Sequence, residues 1–185
     1  MIFSLFERKK ANSALVTRQY EAITESARQP VFYRDMNVPD TVMGRFEMIT
    51  LHMVLYFRHS RDAGPTARLV AQEIIEAFFE DIDHSMRELG IGDAGVPKRM
   101  KKIGRMFYGR ADSYEAALAA DDREALAAAL ARNIHPATPP PTAPSMQALA
   151  EHAFRVDRAL ANVAQAEYEG GTVHFPPAPV LTEER

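Results

Sequence analysis

Along most of this chain apolar residues return every three or four positions, and nowhere do they alternate for long enough to build a sheet. A three-to-four period places side chains on one face of an α-helix, whereas a half-buried strand needs a period of two. The expectation is therefore an all-α fold: a single multi-helix domain with a Pro-rich connector and an additional C-terminal helix. At 185 residues the chain is long enough for one core of ordinary size.

Proline and glycine set the boundaries. In the first 63 residues only Pro30, Pro39 and Gly44 interrupt the helical pattern. A first helix is expected over 11–28, closed by Pro30. A second, the most apolar, runs from a cap at Asp40 to about residue 60. Arg61-Asp-Ala-Gly-Pro65 reads as a turn, with Pro65 suited to the first position of a third helix over 66–89. On that helix Val70, Ala71, Ile74, Ile75, Phe78, Ile82, Met86 and Leu89 share one half of the wheel, opposite Glu73, Glu76, Glu80, Asp83 and Arg87. Gly90 to Gly95 end it, and Pro97 opens a fourth helix reaching about residue 118. A short Ala-rich helix over 122–131 follows, capped by Asp121 or Asp122. Five prolines between 135 and 144 make an extended connector. The last helix, 145–169, starts at a Ser145 cap and stops at Gly170-Gly171, which leaves 170–185 as a flexible tail. Residues 1–134 are thus the helical domain proper.

Composition excludes several functions. The chain has no cysteine, so disulfide scaffolds, thiolate nucleophiles and cysteine-based metal sites are ruled out. A net charge of −3 is wrong for a protein that coats nucleic acid, and no DNA partner is expected. No uncharged apolar run approaches the roughly 18 residues of a membrane span. The best candidate, MITLHMVLYF over 48–57, is half that and reads as a buried core helix. The N-terminus, MIFSLFERKK, is apolar first and basic second, the reverse of a secretory signal. The expected location is the cytoplasm, peripheral at the inner membrane.

Candidate chemistry is sparse. Glu80, Asp81, Asp83 and His84 cluster on one helix, but a di-iron bundle repeats its carboxylate–histidine motif on a second helix. The other histidines lack a carboxylate three residues before them, so this set reads as a solvated acidic face and no metal or cofactor is expected. No nucleophile elbow, phosphate loop or dinucleotide turn is present.

Charge patterning says more. Between residues 94 and 111 stand six basic residues and no acid. Lys98, Lys101, Lys102 and Arg105 share one helix face, opposite Met100, Ile103, Phe107 and Tyr114. Such a face fits an anionic partner, or else a solvated surface beside an acidic helix. In Phe107-Tyr-Gly-Arg110, Arg110 falls beside Ile103 and Tyr114, where a guanidinium packs its stem and seeks a carboxylate. Asp81 and Asp83 are the expected partners. Gly109 in mid-helix points to a close approach or a kink. Met43, Met48, Met53, Met86, Met100 and Met106 lie mostly in the core, yet Met-rich faces also make adaptable surfaces for apolar segments.

The run Phe79-Glu-Asp-Ile-Asp-His-Ser-Met-Arg-Glu-Leu-Gly-Ile-Gly-Asp93, then Val96-Pro-Lys-Arg-Met-Lys-Lys102, Phe107-Tyr-Gly-Arg110, Tyr114 and Ala117-Leu118, resembles the ubiquinol-cytochrome c chaperone family. The likeness extends over about 37–131. It implies an all-helical, non-enzymatic protein, here a bacterial member without a mitochondrial targeting sequence. It also implies cytochrome b of the bc1 complex as partner and the ribosome as a further contact, to which the basic face adds an anionic membrane surface as an alternative. On this reading Lys98, Lys101, Lys102, Arg105, Phe107 and Tyr108 form the partner-binding set. A helical enzyme or binding protein for an isoprenoid-like lipid, and an RNA-binding helical module, remain open from the residues alone.

Overall fold

The structure, a computed structural model, describes residues 2–88, 90, 95–139 and 142–179, and side chains from residue 13 onward. Met1, Leu89, residues 91–94, Pro140, Pro141 and residues 180–185 lie outside it. The described residues form eight α-helices: α1 (Ile2–Ala27), α2 (Pro30–Asp35), α3 (Val42–Ser60), α4 (Pro65–Glu88), α5 (Val96–Ala119), α6 (Arg123–Ile134), α7 (Gln147–Leu160) and α8 (Gln165–Gly170). No described residue lies in a strand.

The most apolar helix sits at the centre. α3 packs against α1, α4, α5, α6 and α7, and Met48 through Tyr56 are buried on every side. A helix apolar all round can satisfy its surface only in this way. No described helix is long and apolar enough to cross a membrane. The α3 N-cap is Thr41, whose hydroxyl accepts from the Gly44 N–H at 3.1 Å. The expected cap, Asp40, instead receives Arg45 at 2.8 Å. Gly44 is required: a Cβ there would stand 1.9 Å from the Pro39 carbonyl oxygen. At the far end Arg58 reaches Glu115 on α5 at 2.7 Å and Asp157 on α7 at 3.1 Å, and His59 meets Asp157 at 2.7 Å. Those bridges fasten α3 to both neighbours where basic side chains also complement the helix dipole.

The C-terminal region departs from expectation. The single helix over 145–169 is two helices, because the Asn162 side chain donates to the Arg158 carbonyl at 2.7 Å and diverts the ladder. Ser145 stands one residue before the N-cap, Met146. The corner after α7 is held by buried Tyr168, whose hydroxyl donates to the Leu160 carbonyl at 2.9 Å. Nor is the segment after Gly171 loose where it is described. Val173 is fully buried, and it exchanges two hydrogen bonds with the side chain of buried Gln19, at 2.9 and 3.1 Å. Gln29 accepts from the Ala178 N–H at 2.8 Å, and Arg155 donates to the Pro177 carbonyl at 3.0 Å. Proline-rich extended chain has few donors of its own, and these side chains serve the backbone groups that remain. The connector is anchored as well. Asn37, held at φ 57°, donates to the Ser145 carbonyl at 3.1 Å, and the Asn37 carbonyl meets His135 at 2.9 Å.

Candidate functional site: an apolar groove beside a basic helix

Among the described residues, one end of the bundle is left uncovered. The first turn of α3 exposes Val42 by 78% and Met43 by 48%. Beneath them opens a groove of about 270 Å³ between α1, α3, α4 and α5, lined chiefly by Val42, Met43, Phe46, Ile49, Phe78, Ile82, Met86, Ile103 and Met106. Its floor is aromatic. Phe46 stacks on Phe78 at 6.0 Å between centroids, and Phe78 meets Phe107 at 5.6 Å. Three helices each contribute one of the methionines singled out in the sequence, Met43, Met86 and Met106. An unbranched thioether chain adapts to occupants of different shape. Met48 and Met53, by contrast, belong to the core.

Polar groups border the groove. The Tyr20 hydroxyl donates to Asp81 at 3.2 Å. Burial first, and the Asp81 charge second, push that phenol above its usual range. Asp83 is taken by Arg87 on its own helix at 2.7 Å, and His84 faces Glu88 at 3.2 Å. Neither aspartate meets Arg110. The guanidinium instead forks onto the carboxylate of Glu47, with both N–O distances 2.5 Å, and donates to the Met106 carbonyl at 3.1 Å. The correction has a simple cause: Arg110 leaves α5 toward α3, and Glu47 stands inside α3's apolar stretch, only 2% exposed against 11% for Arg110. Burial raises the Glu47 carboxyl above its ordinary range while Arg110 pulls the other way. The guanidinium also lies 5.7 Å from the centre of the Phe46 ring, so the pair fixes one wall of the groove.

Two further expectations on α5 change. Phe107 is a core side chain, packed against Phe78 and Phe79 and 2% exposed, so it supports the groove floor from beneath rather than standing on the surface. Gly109 marks neither a close approach nor a crowded crossing, since a Cβ there would meet nothing within 4 Å. Tyr108, 54% exposed, does face outward. So do Lys98, Lys101, Lys102 and Arg105, each exposed and without an acidic partner among the described residues. Lys102 stands one turn before Met106, so the basic face runs directly into the groove wall. Sequence reasoning missed Glu47 and three residues of the groove lining, Val42, Arg28 and Arg45. An acid inside the apolar run of α3 was the available signal for Glu47; nothing local announced the others, which converge only through packing.

Comparison with known proteins agrees with this architecture. Residues 34–175 match the family model described as Ubiquinol-cytochrome C chaperone, a span that takes in the connector, α7 and α8 beyond the likeness seen in the sequence. Ubiquinol-cytochrome-c reductase complex assembly factor 1 of Xenopus laevis is 26% identical over 117 residues, covering 63% of this chain and 58% of that protein. The Drosophila melanogaster factor of the same name is 27% identical over 130 residues, 68% of this chain and 49% of that one. The chain thus spans about half the length of the curated relatives it matches. Among solved structures, the crystal structure of the Cbp3 homolog from Brucella abortus superposes with a TM-score of 0.85 at 46% identity, covering 96% of this chain and 98% of that one. The chain belongs to the ubiquinol-cytochrome c chaperone family.

Proposed function

We propose that this protein is a non-catalytic assembly chaperone for the cytochrome b subunit of a bc1-type ubiquinol-cytochrome c reductase, working in the cytoplasm at the inner face of the membrane. Its groove shields an apolar client segment until partner subunits arrive. One observation carries the reading: a chain of the assembly-chaperone family leaves a methionine-walled apolar groove open at one end of its bundle, with Val42 and Met43 exposed on the rim. Exposed apolar surface of this kind is costly in water unless something covers it. The basic face of α5 supplies a second contact, to an anionic partner.

Deletion of the gene tests the client. Assembled cytochrome b, read from the haem b spectrum and from ubiquinol oxidation by isolated membranes, should fall while unrelated membrane proteins keep their levels. Normal spectra and normal oxidation in the deletion strain would remove cytochrome b as the client.

A further inference from the structure

The methionines divide by exposure. Of the nine in the chain, Met36, Met48, Met53, Met86 and Met146 are buried, while Met100 and Met106 are half-buried. Among the described side chains Met43 alone of them stands exposed, by 48%, and it lines the groove as well. That groove is apolar over Phe46, Ile49 and Ile82, and it also takes in the guanidiniums of Arg28 and Arg45. Arg45 donates its Nε–H to Asp40 at 2.8 Å, which leaves its two Nη groups to other acceptors. Met43 carries no duty in the fold of its helix. The α3 cap is made by the Thr41 hydroxyl and the Gly44 N–H, one residue to the other side of it.

We propose, on the reading of this groove as the receptor for an apolar client segment, that Met43 is a redox-sensitive modification site whose oxidation to the sulfoxide turns apolar occupants away. The oxidant is hydrogen peroxide. A sulfur lone pair attacks one peroxide oxygen, and the O–O bond breaks as the S–O bond forms. The proton on the transferred oxygen passes to the departing hydroxide, so sulfur gives up two electrons and the peroxide ends as two waters' worth of reduced oxygen less one, a single water. Contact between sulfur and solvent decides which methionine reacts, and the core sulfurs have none. A thioether is a weak acceptor, whereas its sulfoxide is polar and accepts strongly. An apolar side chain entering the groove must then strip that oxygen of water, which costs affinity. Arg28 and Arg45 supply donors that hold the oxygen at the groove mouth. Sulfoxide reductases return each epimer to the thioether, so the change is reversible.

The test uses the full-length protein, hydrogen peroxide, and Nile red, a neutral dye that fluoresces in apolar surroundings. Peptide mass spectrometry across a peroxide titration should find the sulfoxide at Met43 before Met86, Met100 or Met106. At a dose that spares those three, dye affinity should fall about ten-fold, the scale of one polar group buried without a full set of partners, at an unchanged melting temperature. Treatment with methionine sulfoxide reductases should restore it. M43L should bind the dye like wild type and keep its affinity through the same dose. M43Q, polar without oxidation, should bind weakly throughout. I103S removes apolar lining from the α5 wall and reports whether the dye sits in the groove at all; I82S, on α4, takes its place if I103S does not fold. Dye binding indifferent to that change would mean that the groove is no apolar receptor and has nothing to gate. Binding weakened by I103S but unchanged by Met43 oxidation would leave the groove its role and overturn the switch. So would M43L losing affinity as wild type does, or oxidation of Met86, Met100 or Met106 ahead of Met43.

Discussion

At the scale of single residues, two pairs of positions separate packing from surface. The Arg110–Glu47 fork is nearly buried, so removing one member strands the other in a medium that cannot hydrate it. R110A is expected to lose about 3–5 kcal/mol in urea unfolding, whereas an exposed pair such as Arg45–Asp40 is worth about 0–1 kcal/mol. A double variant, E47Q/R110M, should recover much of that loss by removing both charges together; an R110A melt like that of wild type would refute the buried pair. The glycines give the second contrast. Gly44 faces the Pro39 carbonyl and Gly109 faces open space, so G44A should destabilise and G109A should stabilise by about 1 kcal/mol. Equal effects of either sign in paired thermal melts would contradict this placement.

At the scale of elements, helix existence was legible and helix partnership was not. Apolar period and Pro65 place α4 almost to the residue, and an aspartate cap places the start of α6, because caps and breakers act locally; the end of α6, three residues beyond the expected 131, carries no such signal. The α7–α8 break was hidden: it depends on Asn162 reaching back to Arg158 and on Tyr168 reaching Leu160, neither of which shows in periodicity. Likewise the partner of Arg110 depended on which face of α5 meets α3, a tertiary fact that no wheel contains. The α3–α7 contact adds a pH dependence. His52 and His152 are buried 6.1 Å apart between ring centroids, against Phe32. Burial lowers His52 to about 4, and burial with the neighbouring His52 and Arg155 charges lowers His152 to about 3. Unfolded imidazoles bind protons below about 6.5, so the unfolded state gains protons first as pH falls. Stability should be full above that pH. Below it, stability should decline by about 1.4 kcal/mol per pH unit for each histidine until the folded values are reached. Urea midpoints measured from pH 7 to pH 5 test this, and a flat profile would show that the two imidazoles are not buried neutral.

At the scale of the whole molecule, a central apolar helix, a methionine-walled groove and a basic face assign different work to different surfaces. The core was readable because α3 is apolar all round; the groove was not, since its lining is gathered from four helices and defined by what fails to cover it. Charge reversal of the exposed basic face, Lys98, Lys101, Lys102 and Arg105 to Glu together, should leave the melting temperature within about a degree of wild type, as none of the four has an acidic partner among the described residues. The same variant should lose its anionic partner, and binding unchanged across a salt titration would count against an electrostatic contact. The most direct measurement concerns the groove. A photo-crosslinking residue placed at Met43 or Met106 in living cells, with the same residue at exposed Arg158 on α7 as control, reports what the groove holds. Newly made cytochrome b joined to both groove positions and absent from the control is the expected result. Cytochrome b joined equally to all three positions, or to none, would contradict a shielding groove.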